Sequence, residues 1–149
     1  MAHHIKAFII SIGSFTSAVL GTLYIPVLLL VSANVIDYIT ALIACKMQGK
    51  PWDSNVGIKG ICKKVLMWLL VVVGAIFDEL LAYASNTVGF KLPFSFLVAA
   101  VVAVWLICNE LISILENIKE CGVKLPPFLE PLIKTAQEQI EDKADNKER

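Results

Sequence analysis

Apolar positions in this chain do not recur as a stripe; they run on without interruption, and polar residues gather between the runs. From residue 7 to residue 45 the only charge is Asp37. About 20 helical residues cross a hydrocarbon core of about 30 Å, so this stretch is too long for one perpendicular crossing, and Pro26 divides it. Residues 26–45 read as a full span. Residues 7–23 are shorter and dotted with Ser11, Gly13, Ser14, Thr16 and Ser17; they could cross, re-enter or lie along the interface, and the pattern does not choose. Residues 46–64 are polar, with Gly49, Pro51, Asn55, Gly57 and Gly60, which predicts a loop. A span over 65–84 follows, interrupted by Asp78 and Glu79. A short link over 85–91 contains Asn86 and Gly89, and Pro93 suits the first turn of the next helix, uncharged over 92–109.

Beyond residue 109 the spacing changes. Leu111, Ile112, Leu115 and Ile118 recur at helical intervals, while Asn109, Ser113, Glu116, Asn117 and Glu120 share another face. This predicts an interfacial extension to residue 121, stopped by Gly122, Pro126 and Pro127. A mildly amphipathic segment over 128–140 and a charged tail over 141–149 complete the chain. The expected class is therefore an all-α integral membrane protein with three transmembrane helices. Residues 1–121 form its membrane domain and residues 122–149 a C-terminal tail.

Composition agrees with lipid as the solvent. Of 149 residues 57% are apolar and 17% charged, with a mean hydropathy of +0.73, whereas soluble domains carry about 25% charged residues. The formal net charge is zero, but it is unevenly placed. Lys46, Lys50, Lys59, Lys63 and Lys64 surround a single acid, Asp53. Short basic loops stay in the cytoplasm, which predicts a cytoplasmic C-terminus; the side of the N-terminus depends on residues 7–23. No basic stripe suits a nucleic acid. The cysteines (Cys45, Cys62, Cys108, Cys121) lack metal-ligand spacing and read as free thiols, and no cofactor is implied. No Ser/His/Asp set, paired zinc histidines or phosphate-binding glycine loop provides for enzyme chemistry.

The candidate functional residues are the polar ones inside or beside the spans. An acid at the bilayer centre costs about 2.5–3.5 kcal/mol on insertion scales. Asp37 stands nine residues before Lys46, roughly 13 Å from that end of its span, and so needs a partner or water. Asp78 and Glu79 could line a wet path or face the opposite interface. Small residues recur every fourth position: Gly13, Ser17 and Gly21; Ala33 and Ala41 about Asp37; Ser95, Ala99 and Ala103. Such faces let helices approach closely, within one chain or between copies.

Several stretches, in order, resemble the toxin-secretion and phage-lysis holins. Asp37, Tyr38, Thr40 and Ala41 are similar to that family's Asp-Tyr-x-Thr-Gly element, with alanine in place of glycine. Gly57, Ile58, Lys59 and Gly60, with Lys63 and Lys64, resemble its glycine-lysine loop, and Asp78 matches an acid of the following span. Asn109, Glu110, Ser113, Ile114, Glu116 and Asn117, with Gly122 and Pro126 downstream, resemble its Asn-Glu-x-x-Ser-Ile-x-Glu-Asn element. The resemblance covers residues 31–133. It implies a protein of the bacterial cytoplasmic membrane that forms homo-oligomers and opens lesions, releasing an endolysin or a large toxin. Its polar residues would then serve subunit contacts or a wet lumen, although Asn109 to Asn117 would equally suit an interfacial helix facing headgroups. A membrane scaffold or a narrow ion channel remains the alternative.

Overall fold

Long helices follow one another with short connections, and among the described residues there is no strand. The computed structural model describes residues 5–6, 10–11, 21–49, 54–89 and 97–145. After a 3-10 turn, Gly21–Leu23, come α1 (Tyr24–Met47), α2 (Ser54–Val88), α3 (Leu97–Glu120) and α4 (Leu129–Asp145). The stretches Tyr24–Met47, Gly57–Val88 and Val98–Glu120 are each long and apolar enough to cross a membrane. Their outward faces are apolar as well: Leu28, Leu29, Val35 and Ile36 on α1 and Leu66, Val73, Ile76 and Leu80 on α2 are exposed. A soluble monomer rarely shows so much contiguous apolar surface. The protein is an all-α integral membrane protein.

α3 is the hub, packing against α1, α2 and α4, and it is chiefly through α3 that α1 and α2 are joined. The core is Leu23, Leu30, Val71, Ala99, Ala103 and Leu106. Ala99 and Ala103 are wholly buried, and the tightest approach is opposite them. A Cβ built on Gly74 would lie 2.9 Å from the Cα of Ala99. Glycine is what lets these two backbones touch, as small residues do between helices in lipid.

The structure moves several expected boundaries. The break before α1 falls at Gly21, whose φ of +52° suits glycine, while Pro26 sits in the first helical turn, where a missing N–H costs nothing. The loop expected over 46–64 is much shorter. α1 ends at Met47 and α2 begins at Ser54, so Gly57, Lys59, Gly60, Lys63 and Lys64 are helical. Adding a residue to a helix already nucleated is cheap, and the roughly 1 kcal/mol cost of each glycine is outweighed where small size helps packing; Gly57 is buried. The link expected over 85–91 is likewise helical as far as Val88, where Gly89 (φ +87°) turns the chain and donates its N–H to the Ser85 carbonyl at 2.9 Å.

α3 continues without interruption from its uncharged half into the polar extension. It ends in a Schellman arrangement: Val123 N–H reaches Ile118 O at 3.4 Å and Gly122 N–H reaches Lys119 O at 2.9 Å, with Gly122 at φ +81°. α4 then folds back antiparallel along α3, since Gln137 meets Asn109 and Glu141 meets Trp105. Its half-buried residues Leu129, Ile133, Gln137 and Ile140 share one stripe. The helical part of the expected tail therefore reaches Asp145 and lies against the membrane helices. Gly13, Ser17, Ser95, Lys50, most of residues 7–23 and the start of the third span lie outside the described residues.

Candidate functional site

Three helices that share little side-chain chemistry elsewhere are tied together by one polar knot. On α1, Asp37 and Thr40 are three residues apart and so share a face. On α3, Glu110 and Asn117 are two turns apart on one face. On α2, Lys64 is the last charge before the uncharged run that starts at Val65. Its ammonium donates to Asp37 Oδ2 at 2.8 Å and to Glu110 Oε2. Asn117 Nδ2 donates to Asp37 Oδ1 at 3.0 Å and to Thr40 Oγ1 at 3.1 Å; the Thr40 hydroxyl donates to the Asp37 carbonyl at 3.0 Å.

The knot is well shielded even without lipid: the side chains of Lys64, Asp37 and Glu110 are 16%, 13% and 8% exposed. Charges this poorly solvated are tolerated only when paired and hydrogen-bonded on their remaining atoms, and the Asn117 donation to Oδ1 meets that need for Asp37. Two carboxylates share one ammonium, so a formal negative charge remains. A cavity of about 670 Å³ opens beside it between α2 and α3, and Lys63 lines its wall with Asp37, Lys64, Glu110 and Ser113.

At the other end of the bundle Asp78 does something different. Its two carboxylate oxygens accept the backbone N–H groups of Val98 and Ala99, both at 2.9 Å. These belong to the first turn of α3, where amide hydrogens have no intrahelical acceptor and the helix dipole favours a negative charge. Asp78 is a capping residue supplied by a neighbouring helix, one turn beyond Gly74 on the same face of α2. Glu79 is exposed and makes no side-chain hydrogen bond or ion pair among the described residues.

The other expected site residues disperse. Asn109 turns from the knot and accepts from Gln137 of α4 at 3.2 Å. Ser113 is half-buried on the cavity wall, and Glu116 is exposed. Ala41 is half-buried on α1; Ala99 and Ala103 are core residues. Gly21 opens the 3-10 turn, and a Cβ built on it would meet nothing within 4 Å among the described residues. Lys46 and Lys59 are exposed, and none of the four cysteines is in a disulfide.

Sequence reading missed the role of Lys64. Two acids within spans called for a cation, and Lys64 is the lysine that abuts the apolar run; placing it in a loop hid that. It also missed Gly74, and Asn34, which is 3% exposed and donates to Leu30 O at 2.6 Å while its Oδ1 has no partner.

All the residues of the knot fall within one family match. Residues 14–138 match the family model described as the bacteriophage holin family. Among curated proteins, an uncharacterized 14.9 kDa protein of Clostridium perfringens is 34% identical over 89% of this chain and 92% of its own length. An uncharacterized protein of Listeria monocytogenes is 34% identical over 87% and 84% of the two chains, and one of Halalkalibacterium halodurans 36% over 70% and 73%. No solved structure matches significantly. With residues 14–138 matched and relatives aligned over most of its length, the chain belongs to the bacteriophage holin family.

Proposed function

We propose that the protein acts as a holin: copies accumulate in the cytoplasmic membrane, associate with one another, and open lesions through which an endolysin or a large toxin leaves the cell. The observation that carries this reading is Lys64 held between Asp37 and Glu110. A protein that must fill a bilayer harmlessly before opening it has to conceal its polar groups within each copy. A closed knot does so. When copies crowd together, the same carboxylates, ammonium and amide can exchange partners with a neighbour or with water in a shared lumen. The surplus negative charge of the knot and the unpaired Glu79 on the outward face favour such an exchange over indefinite isolation.

The lysine-rich end, with Lys46, Lys59, Lys63 and Lys64, is assigned to the cytoplasm by the positive-inside rule; the turn between α3 and α4 is then on the cytoplasmic side too. No catalytic group is part of this mechanism. The test is induced expression in a bacterium carrying a cytoplasmic reporter enzyme too large for an ion channel. Abrupt growth arrest with reporter release is expected. Ion leakage alone would make the protein a narrow channel, and neither effect would make it a scaffold. Asp37→Leu should still insert and should change or abolish the timing; unchanged timing would remove Asp37 from the mechanism.

A further inference from the structure

Lys63 is the cation the knot leaves over. It is exposed, makes no ion pair among the described residues, and stands at the rim of the α2–α3 cavity, with Lys59 one turn away on the same helix and also exposed. Depth makes this unusual. The Lys64–Asp37 pair sets the register between α1 and α2, and α1 continues about 15 Å beyond Asp37 toward the lysine-rich end, still exposing Ile39, Ile43 and Met47 to lipid. Lys63 and Lys59 therefore stand at a level where the neighbouring helix is built for hydrocarbon. An ammonium there needs an anion or a route to the headgroups.

The cavity beside them is amphipathic in the matching sense. One end carries Lys63 and Lys64, with Asp37 and Glu110 already engaged by Lys64. The other end, farther into the span, is walled by Leu66, Met67, Leu70 and Leu106, with Trp105 beside them. Its volume of about 670 Å³ falls among small-molecule sites, and Gly60 keeps the wall beside Lys64 free of a side chain. Within the groove Lys63 and Lys64 balance Asp37 and Glu110; Lys59, exposed one turn from Lys63, adds a further ammonium beside it.

We propose that this groove binds an anionic phospholipid, its headgroup phosphate on Lys63 and Lys59 and an acyl chain along Leu66, Met67, Leu70 and Leu106. Basic pockets between membrane helices on the cytoplasmic side recognise such headgroups. The bound lipid would supply the charge these lysines lack and wall the groove against water. The inference rests on membrane placement alone and is independent of the lytic reading.

Trp105 provides the probe. In the full chain with Trp52 and Trp68 replaced by phenylalanine, its fluorescence is titrated with acyl-brominated phosphatidylglycerol or phosphatidylcholine in mixed micelles. Quenching should be half-maximal at a several-fold lower mole fraction of phosphatidylglycerol, and Lys63→Gln should raise that mole fraction about five-fold. Equal quenching by the two lipids, or no change with Lys63→Gln, would overturn the proposal. Millimolar inorganic phosphate should not relieve the quenching; if it does, the site takes free anions and the lipid assignment falls. Native mass spectrometry of the chain with all its tryptophans gives a second reading. Phosphatidylglycerol should stay bound and be lost with Lys63→Gln; equal retention by both would contradict the proposal.

Discussion

The two ends of the bundle both hold an acid inside a span, and they solve the problem by different means. At the lysine-rich end Asp37 is neutralised by a charged side chain from another helix and by a side-chain amide. At the opposite end Asp78 needs no cation, because two backbone N–H groups at the start of α3 serve it. The layers are close: fourteen residues of α2 separate Lys64 from Asp78, about 21 Å along the helix, against a hydrocarbon core of about 30 Å. At least one layer therefore lies within hydrocarbon and must be satisfied by protein. The cap is built from the backbone of one chain and cannot be exchanged without unwinding α3. The knot is made wholly of side chains and can be re-partnered. That difference is why rearrangement is assigned to the lysine-rich end and mere stability to the other.

Breaking the knot should have the largest effect. Lys64→Leu leaves Asp37 and Glu110 facing one another without a cation, and removal of one partner from a buried pair costs about 3–5 kcal/mol. Unfolding in mixed micelles should show that loss, and the triple variant Lys64→Leu, Asp37→Leu, Glu110→Leu should recover most of it while failing to lyse cells. Recovery of both stability and lysis would separate the knot from function.

Asp78→Ala should cost less, about 1–3 kcal/mol for stranded N–H groups, seen as faster amide exchange at Val98 and Ala99 with the lysine-rich end unaffected. Gly74→Val sharpens the same end: overpacking against Ala99 should cost about 1–3 kcal/mol and weaken the Asp78 cap along with it. An effect on the Asn117 amide as large as on the Val98 amide would show the two ends to be one unit.

The smallest effect belongs to α4, outside both. The side-chain hydrogen bond from Lys134, 2.8 Å from Glu130 Oε1, and its charge hold the Glu130 carboxyl below its ordinary range, and the same bond raises Lys134. The contribution of Glu130 is thus complete above the usual carboxylate pKa and fades as pH falls through the lowered value. That of Lys134 is complete below the usual lysine pKa and is lost as pH rises through the raised one. Helicity of α4 should decline slightly at both extremes. Both groups are fully exposed, so the change should be slight, and Glu130→Gln should remove the acid limb.

The three spans were legible because a run of about twenty residues with no more than two charges has one physical explanation. The boundaries were not, because glycine signals a turn only when nothing else fixes the backbone; Gly57 and Gly60 sit in a helix already propagating, whereas Gly21, Gly89 and Gly122 at positive φ do end or begin elements. Among the site residues, Asp37 stood out as a charge in apolar surroundings, while Glu110 and Asn117 were marked by the family resemblance in a segment expected at the interface. That they meet one another could not be read, since it depends on how α1 and α2 are arranged around α3. Lys64 was hidden by its position among four other lysines. The cap by Asp78 was hidden because its partners are backbone atoms, which leave no mark in the sequence.

The account turns on Asp37 and Lys64 being coupled within one copy before any lesion forms. A double-mutant cycle on unfolding in nanodiscs, with Asp37→Asn, Lys64→Gln and both, measures that coupling directly. The structure predicts at least about 1.5 kcal/mol, within the range seen for close charge pairs. A coupling near zero in the monomer would mean that the knot is not closed in the resting protein, and the proposed concealment before opening would be contradicted.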